Sequence, residues 1–165
     1  MDPGGWQREG QPADAGSGRT GRAARQRGEQ GTAHSFPGPS RDQPARVGRV
    51  TDGDTLTLVG LGSVRLIGVD TPEVFGGAEC YGREASAYTK RVLRPGRPVR
   101  YRPGVEPRDR YARLLAYVWL EDDRLFNGLI VERGYAVPLT IPPNVDFAER
   151  FGLAARRARR AGVGL

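Results

Sequence analysis

The stretch Val64-Arg65-Leu66-Ile67-Gly68-Val69-Asp70-Thr71-Pro72-Glu73 carries one guanidinium and two carboxylates on an alternating apolar run. Alternation is the mark of a half-buried strand. The run breaks at Thr71-Pro72, because proline holds the residue before it extended and has no N–H to give to a ladder. A strand over residues 64–70 therefore delivers Arg65 from its middle, Asp70 from its end and Glu73 from just past a stiff turn. Two carboxylates beside a guanidinium suit a hard cation and a phosphate. The same stretch read alone is equally an ordinary strand with polar residues facing water, so the chemistry depends on what else converges on it.

Two further clusters qualify. Asp54 closes the turn Asp52-Gly53-Asp54, and Asp109-Arg110-Tyr111-Ala112-Arg113 precedes the most apolar run in the chain. Each has a plain explanation on its own: a hairpin turn, a solvated loop with an ion pair, a tyrosine used for packing. Together they imply a site. An antiparallel hairpin sets the start of its first strand beside the end of its second, which brings Asp54 toward Asp70. Two carboxylates held close repel each other unless a cation lies between them or one is protonated. Oxygen ligands without His or Cys point to Ca²⁺ or Mg²⁺ rather than a softer metal.

The elements that position these groups follow from pattern. Residues 1–45 contain no Val, Ile or Leu and nine of the chain's glycines. Such a segment cannot bury enough apolar surface to offset the entropy of ordering, so it reads as a disordered tail. The remainder, residues 46–165, is long enough for one domain with its own core. Strands are expected at 46–50, 55–59, 64–70, 99–102 and 114–120, with an Asp-Gly hairpin signal between the first two. Helical spacing marks 84–93, stopped by Pro95-Gly96, and 125–133, closed by Gly134. Residues 104–110 read as a polar loop and 137–145 as irregular. Asp146 and Glu149 have capping-box spacing for a third helix, whose buried stripe is Phe147, Phe151, Ala154, Ala155 and Ala158. Five strands with a helix between the third and fourth suggest a small five-stranded barrel of the OB type, an α+β fold.

Charge and cysteine content narrow the function class. The net charge is +7; the first 45 residues hold six Arg and five acids, and the rest hold 20 Lys+Arg and 14 acids. The positive excess thus lies in the folded part, which favours a polyanion such as nucleic acid. Cys80 is the one cysteine, which excludes an intrachain disulfide and a thiolate zinc site. No apolar run approaches the length of a membrane span. The N-terminus has no apolar h-region, so no secretory signal is expected in the sequence as it stands: cytoplasmic by default, secreted if the native start differs. Nothing argues for an oligomer, and a monomer is expected.

The motifs Asp52-Gly53-Asp54-Thr55, Arg65 through Glu73, Tyr81-Gly82-Arg83-Glu84-Ala85-Ser86-Ala87-Tyr88-Thr89-Lys90 and Asp109 through Tyr117 together resemble the staphylococcal nuclease (thermonuclease) family. Asn127 and Gly134 fall in register, and the likeness spans roughly residues 46–160. The resemblance implies a Ca²⁺-dependent phosphodiesterase acting on DNA and RNA and leaving 3′-phosphate ends. It implies Asp54 and Asp70 as metal carboxylates, Thr71 as a carbonyl ligand, Arg65 and Arg113 as catalytic arginines, Glu73 as the catalytic glutamate, and Tyr111 beside the nucleotide phosphate. Two departures stand out. Thr140 and Pro142 replace tyrosines that pack around the nucleotide in the family's archetype, and the loop over residues 74–80 is shorter. The competing expectation is an OB-fold module that binds nucleic acid without cutting it. Such a module is expected to lose acidic or arginine positions of the site, and here all five side chains are present.

Overall fold

The computed structural model describes residues 42–72 and 81–164. The tail expected over residues 1–45 lies outside the described residues up to residue 41, and Glu73 lies outside them as well. Strand β1 is Gln43–Val50, β2 Thr55–Leu58, β3 Gly62–Leu66, β4 Val69–Asp70, β5 Pro98–Arg108, β6 Leu114–Trp119 and β7 Val137–Pro138. The helices are α1 Gly82–Val92, α2 Phe126–Glu132 and α3 Ala148–Arg160.

Five strands close into a barrel in the order β1-β2-β3-β6-β5, while β4 and β7 form a separate two-stranded sheet. All barrel pairs are antiparallel except β3 with β6. This is the five-stranded barrel with three helices that the pattern predicts. Leu56, Leu58, Val64 and Leu66 from the β2-β3 hairpin meet Tyr117, Phe126, Ile130 and Phe151 in one apolar core. Full burial of side chains of this size is worth about 1.5–3 kcal/mol each, and the β2-β3 hairpin is therefore fixed firmly enough to carry a site.

Four expectations are corrected. Strand β1 starts at Gln43, because Gln43, Pro44 and Ala45 pair with Tyr101, Arg100 and Val99 of β5; backbone pairing needs no aliphatic side chain, the only signal used to place that boundary. Residues 64–70 are not one strand. Strand β3 ends at Leu66, Gly68 turns with φ +80°, and the chain resumes as β4 against β7, with Asp70 opposite Val137. Strand β5 runs on to Arg108 through the expected loop, and its register with β6 shifts between Pro103 and Arg108. There the Asn144 side chain pairs with Glu106 in place of a strand, accepting from its N–H at 3.1 Å and donating to its C=O at 2.9 Å. Finally, no capping box forms: α3 follows Phe147 with no side-chain cap hydrogen bond. Phe147 is buried edge-on against Tyr117, ring centroids 4.8 Å apart, so packing rather than capping sets the helix start.

Candidate active site

The turn between β1 and β2 is built to place Asp54. Asp52 Oδ1 accepts the N–H groups of Asp54 and Thr55 at 3.2 and 2.8 Å, which closes the turn locally. Gly53 is buried, and a Cβ there would fall 2.7 Å from the Thr71 side chain. Its C=O accepts the Thr89 hydroxyl of α1 at 2.8 Å. From the other side, Leu66 N–H donates to the Asp54 C=O at 2.9 Å. The turn is therefore held by its own Asx bonds, by α1 and by β3.

The Asp54 carboxylate is buried and fully engaged. Oδ2 accepts both the N–H and the hydroxyl of Thr71 at 2.9 Å and lies 3.1 Å from Arg65 Nη2. Oδ1 accepts the Thr55 hydroxyl at 3.0 Å. A buried charge is tolerated only when it is paired and hydrogen-bonded in this way. Asp52 shows what proximity costs: burial, and then the Asp54 charge beside it, push its carboxyl above the ordinary carboxylate range.

Arg65 organises the other side. Its Nη1 donates to the Leu66 and Val69 carbonyls at 3.0 and 2.7 Å, so the guanidinium is threaded through the Ile67-Gly68 turn. Its Nη2 donates to Asp70 Oδ1 at 2.8 Å. The oxygens of Asp54 and Asp70 thus converge on one nitrogen, at 3.1 and 2.8 Å, although Asp70 arrives through the Gly68 turn and β4 and not from the strand paired with β2.

Arg113 stands on the loop between β5 and β6. Asp109 Oδ1 accepts the N–H groups of Tyr111 and Arg113 at 2.9 and 3.0 Å, and its Oδ2 accepts Arg113 Nε at 2.7 Å. Burial raises the Asp109 carboxyl, but the hydrogen bonds from the Arg113 side chain and the two backbone N–H groups outweigh it, and the net shift is downward. Tyr111 is 63% exposed, with the Arg110 and Arg113 guanidiniums 4.8 and 5.3 Å from its ring centre.

Arg65, Tyr111 and Arg113 all line one cleft of about 470 Å³, whose apolar wall includes Val69, Leu139, Ile141 and Pro142. Of the two positions that replace family tyrosines, Pro142 lines the cleft; Thr140 does not. Among the described residues, no group of three or more His, Cys, Asp or Glu side chains is placed to hold a metal. The set that does converge is two carboxylates on a single cationic nitrogen. A place that already accommodates positive charge between hard oxygen donors fits Ca²⁺ or Mg²⁺.

Pattern reading missed what three residues do here. The Thr71 side chain and N–H hold Asp54, a role beyond the carbonyl expected of it. Thr89 is wholly buried on the apolar face of α1, and a hydroxyl on that face was the available signal. Asn127 is also wholly buried; its Nδ2 donates to the Ile67 and Ala116 carbonyls at 2.9 and 3.2 Å, and its Oδ1 accepts Val118 N–H at 2.9 Å. It ties the Arg65-bearing turn to β6. An amide in the apolar run Leu125-Phe126-Asn127-Gly128-Leu129-Ile130 is itself such a signal.

The family model described as "Staphylococcal nuclease homologue" matches residues 63–165. A thermonuclease of Staphylococcus hyicus is 38% identical over 127 residues, 73% of this chain and 74% of that protein. A thermonuclease of Staphylococcus intermedius is 40% identical over 126 residues, with the same coverage of 73% and 74%. Endonuclease YhcR of Bacillus subtilis is 33% identical over 72% of this chain but only 11% of its own length. The chain belongs to the staphylococcal nuclease family.

Proposed function

We propose that this nuclease is Ca²⁺-dependent and hydrolyses phosphodiester bonds of DNA and RNA, leaving 3′-phosphate ends. The observation that carries the proposal is the convergence of Asp54 Oδ2 and Asp70 Oδ1 on Arg65 Nη2, at 3.1 and 2.8 Å, with Arg65 and Arg113 lining one cleft. Asp54, Asp70 and the Thr71 carbonyl would hold Ca²⁺, which would supply charge neutralisation of the diester and a place to orient the attacking water. Arg65 and Arg113 bond the phosphate oxygens as negative charge builds in the five-coordinate transition state. Arg65 Nη1 and Nη2 already bond two carbonyls and two carboxylates, so a cation taking the place between Asp54 and Asp70 would free Nη2 for the phosphate. Glu73 takes a proton from the water or orients it through hydrogen bonds. Tyr111 packs beside the nucleotide phosphate.

The test is degradation of plasmid DNA and of a single-stranded RNA by wild type, Arg65→Ala and Arg113→Ala, with Ca²⁺ and with EGTA. Cutting by wild type stops in EGTA, and each variant loses about 10²–10³ in turnover. The new 5′ ends accept radiolabelled phosphate from a kinase without prior phosphatase treatment, because the phosphate stays on the 3′ side. Undiminished cutting in EGTA, or equal rates in all three proteins, would overturn the assignment; retardation without cutting would leave a binding module.

A further inference from the structure

Residues 86–105 carry six Lys and Arg side chains and no carboxylate, and residues 43–51 add two arginines, again without an acid. The fold brings these stretches together. Val47 N–H donates to the Arg97 C=O at 3.0 Å, Gly96 N–H donates to the Val47 C=O at 2.7 Å, and Arg46 Nη1 donates to the Gly96 C=O at 3.0 Å. Between them runs a groove of about 600 Å³, with Arg49 and Thr51 on one wall and Lys90, Leu93 and Pro95 on the other. Arg46, Arg49, Lys90, Arg91 and Arg94 are exposed. Among the described residues none of these five forms a salt bridge with a carboxylate.

A basic face is often no more than a solvated surface. The difference here is where the groove begins. Thr51 on its wall leads directly into the Asp52-Gly53-Asp54 turn. Thr89, the neighbour of Lys90, donates to the Gly53 C=O at 2.8 Å. The groove therefore opens beside the turn that carries Asp54. Like charges gathered without counter-ions raise the local potential and attract a polyanion.

We propose that this groove is an extended phosphate track, holding the backbone of the substrate strand several nucleotides from the scissile bond. The inference rests on the nuclease reading and adds a second contact surface to it. None of the groove's lining residues is aromatic, so the contact is to phosphates without base stacking, and it carries no sequence preference.

The test is fluorescence anisotropy in EGTA, with labelled single strands of about 16 nucleotides and with a dinucleotide. The double variant Arg49→Ala/Lys90→Ala is compared with wild type and with Arg156→Ala/Arg157→Ala, which removes the same charge from the exposed face of α3. The groove variant loses about tenfold in affinity for the long strand at 0.1 M salt, and its slope of log affinity against log salt is shallower by about 1.4, or about 0.7 per lost phosphate contact. The long-to-short affinity ratio falls with it, and the α3 variant stays near wild type. Equal slopes for groove variant and wild type, or an equal loss in the α3 variant, would overturn the track. Wild-type digestion of plasmid DNA in Ca²⁺ is scored separately. An inactive wild type that still shows the groove effect removes the nuclease reading and keeps the track; an active wild type without the effect does the reverse.

Discussion

Thr71 closes twice on one oxygen of Asp54: its backbone N–H and its hydroxyl both donate to Oδ2 at 2.9 Å. Both residues are buried, so this contact joins the end of β4 to the start of β2 away from water. Thr71→Val keeps the shape and the N–H bond and removes only the hydroxyl. A hydrogen bond to a charged group contributes about 1.5–3 kcal/mol, and urea unfolding in EGTA should show a stability loss of that order. Thr71→Ser restores the hydroxyl and recovers most of it. A valine variant as stable as wild type would mean that the hydroxyl does not support the carboxylate.

Gly68 cannot be replaced cheaply. Its φ is +80°, and a Cβ there would lie 2.6 Å from Phe151 Cε2. The left-handed conformation costs a non-glycine residue roughly 1–2 kcal/mol, and overpacking adds about 1–3. Gly68→Ala should therefore lower the melting temperature. It should also lower kcat, because the carbonyls of Leu66 and Val69 that flank the turn hold Arg65 Nη1. Adding Phe151→Leu relieves the clash and not the backbone strain, so the double variant recovers stability only in part. Full recovery would show that φ contributes nothing.

The same glycine shows how far the sequence could be read. Alternation at Val64 and Leu66, the Asp-Gly turn and the apolar run before Leu120 were enough for a five-stranded barrel, because each is a local property of its own strand. Gly68 stands where the next apolar residue of that alternation would fall and Val69 is out of phase with it, while the position of Phe151, distant in the chain, fixes the turn there. Capping failed for a similar reason. Asp146 and Glu149 have the right spacing, but burial of Phe147 against Tyr117 decides where α3 starts. At the site, Asp54 and Asp70 meet, but through the Gly68 turn and β4 and not by the hairpin pairing the alternation suggested. The neutral residues that hold the site together, Thr71, Thr89 and Asn127, act through contacts between distant segments, so a polar group in apolar surroundings marks Thr89 and Asn127 without naming their partners.

Asp109 should make stability depend on acid. Its folded carboxyl lies below the ordinary value of 3.8, because hydrogen bonds from Arg113 and the loop backbone outweigh burial. A depressed carboxylate contributes stability that is present in full above its unfolded value. That contribution is lost as the pH falls through the folded value. Asp109→Asn should therefore be less stable than wild type at neutral pH, and the gap should close as the pH drops below 3.8. Urea midpoints across that range check the sign. A gap that persists into strong acid would assign the difference to the amide's geometry instead of the charge.

Tyr111 separates a positioning role from a structural one. Its exposed ring lies between two guanidiniums, and Arg110 Nη2 donates to its hydroxyl at 2.7 Å. Exposed cation–π contacts are worth about 0.5–1 kcal/mol, too little to affect folding but enough to bias where Arg113 stands. Tyr111→Ala should leave the melting temperature near wild type and lower kcat/KM by about two- to fivefold on DNA, the rate equivalent of that energy. Tyr111→Phe keeps the ring over Arg113 and gives up only the Arg110 bond, so it should fall between the two. If the ring acts by holding Arg113, the loss on Tyr111→Ala should disappear in an Arg113→Ala background, where there is no guanidinium left to hold. An undiminished loss in that background would show that the ring touches the nucleotide directly and that its contact with Arg113 is incidental.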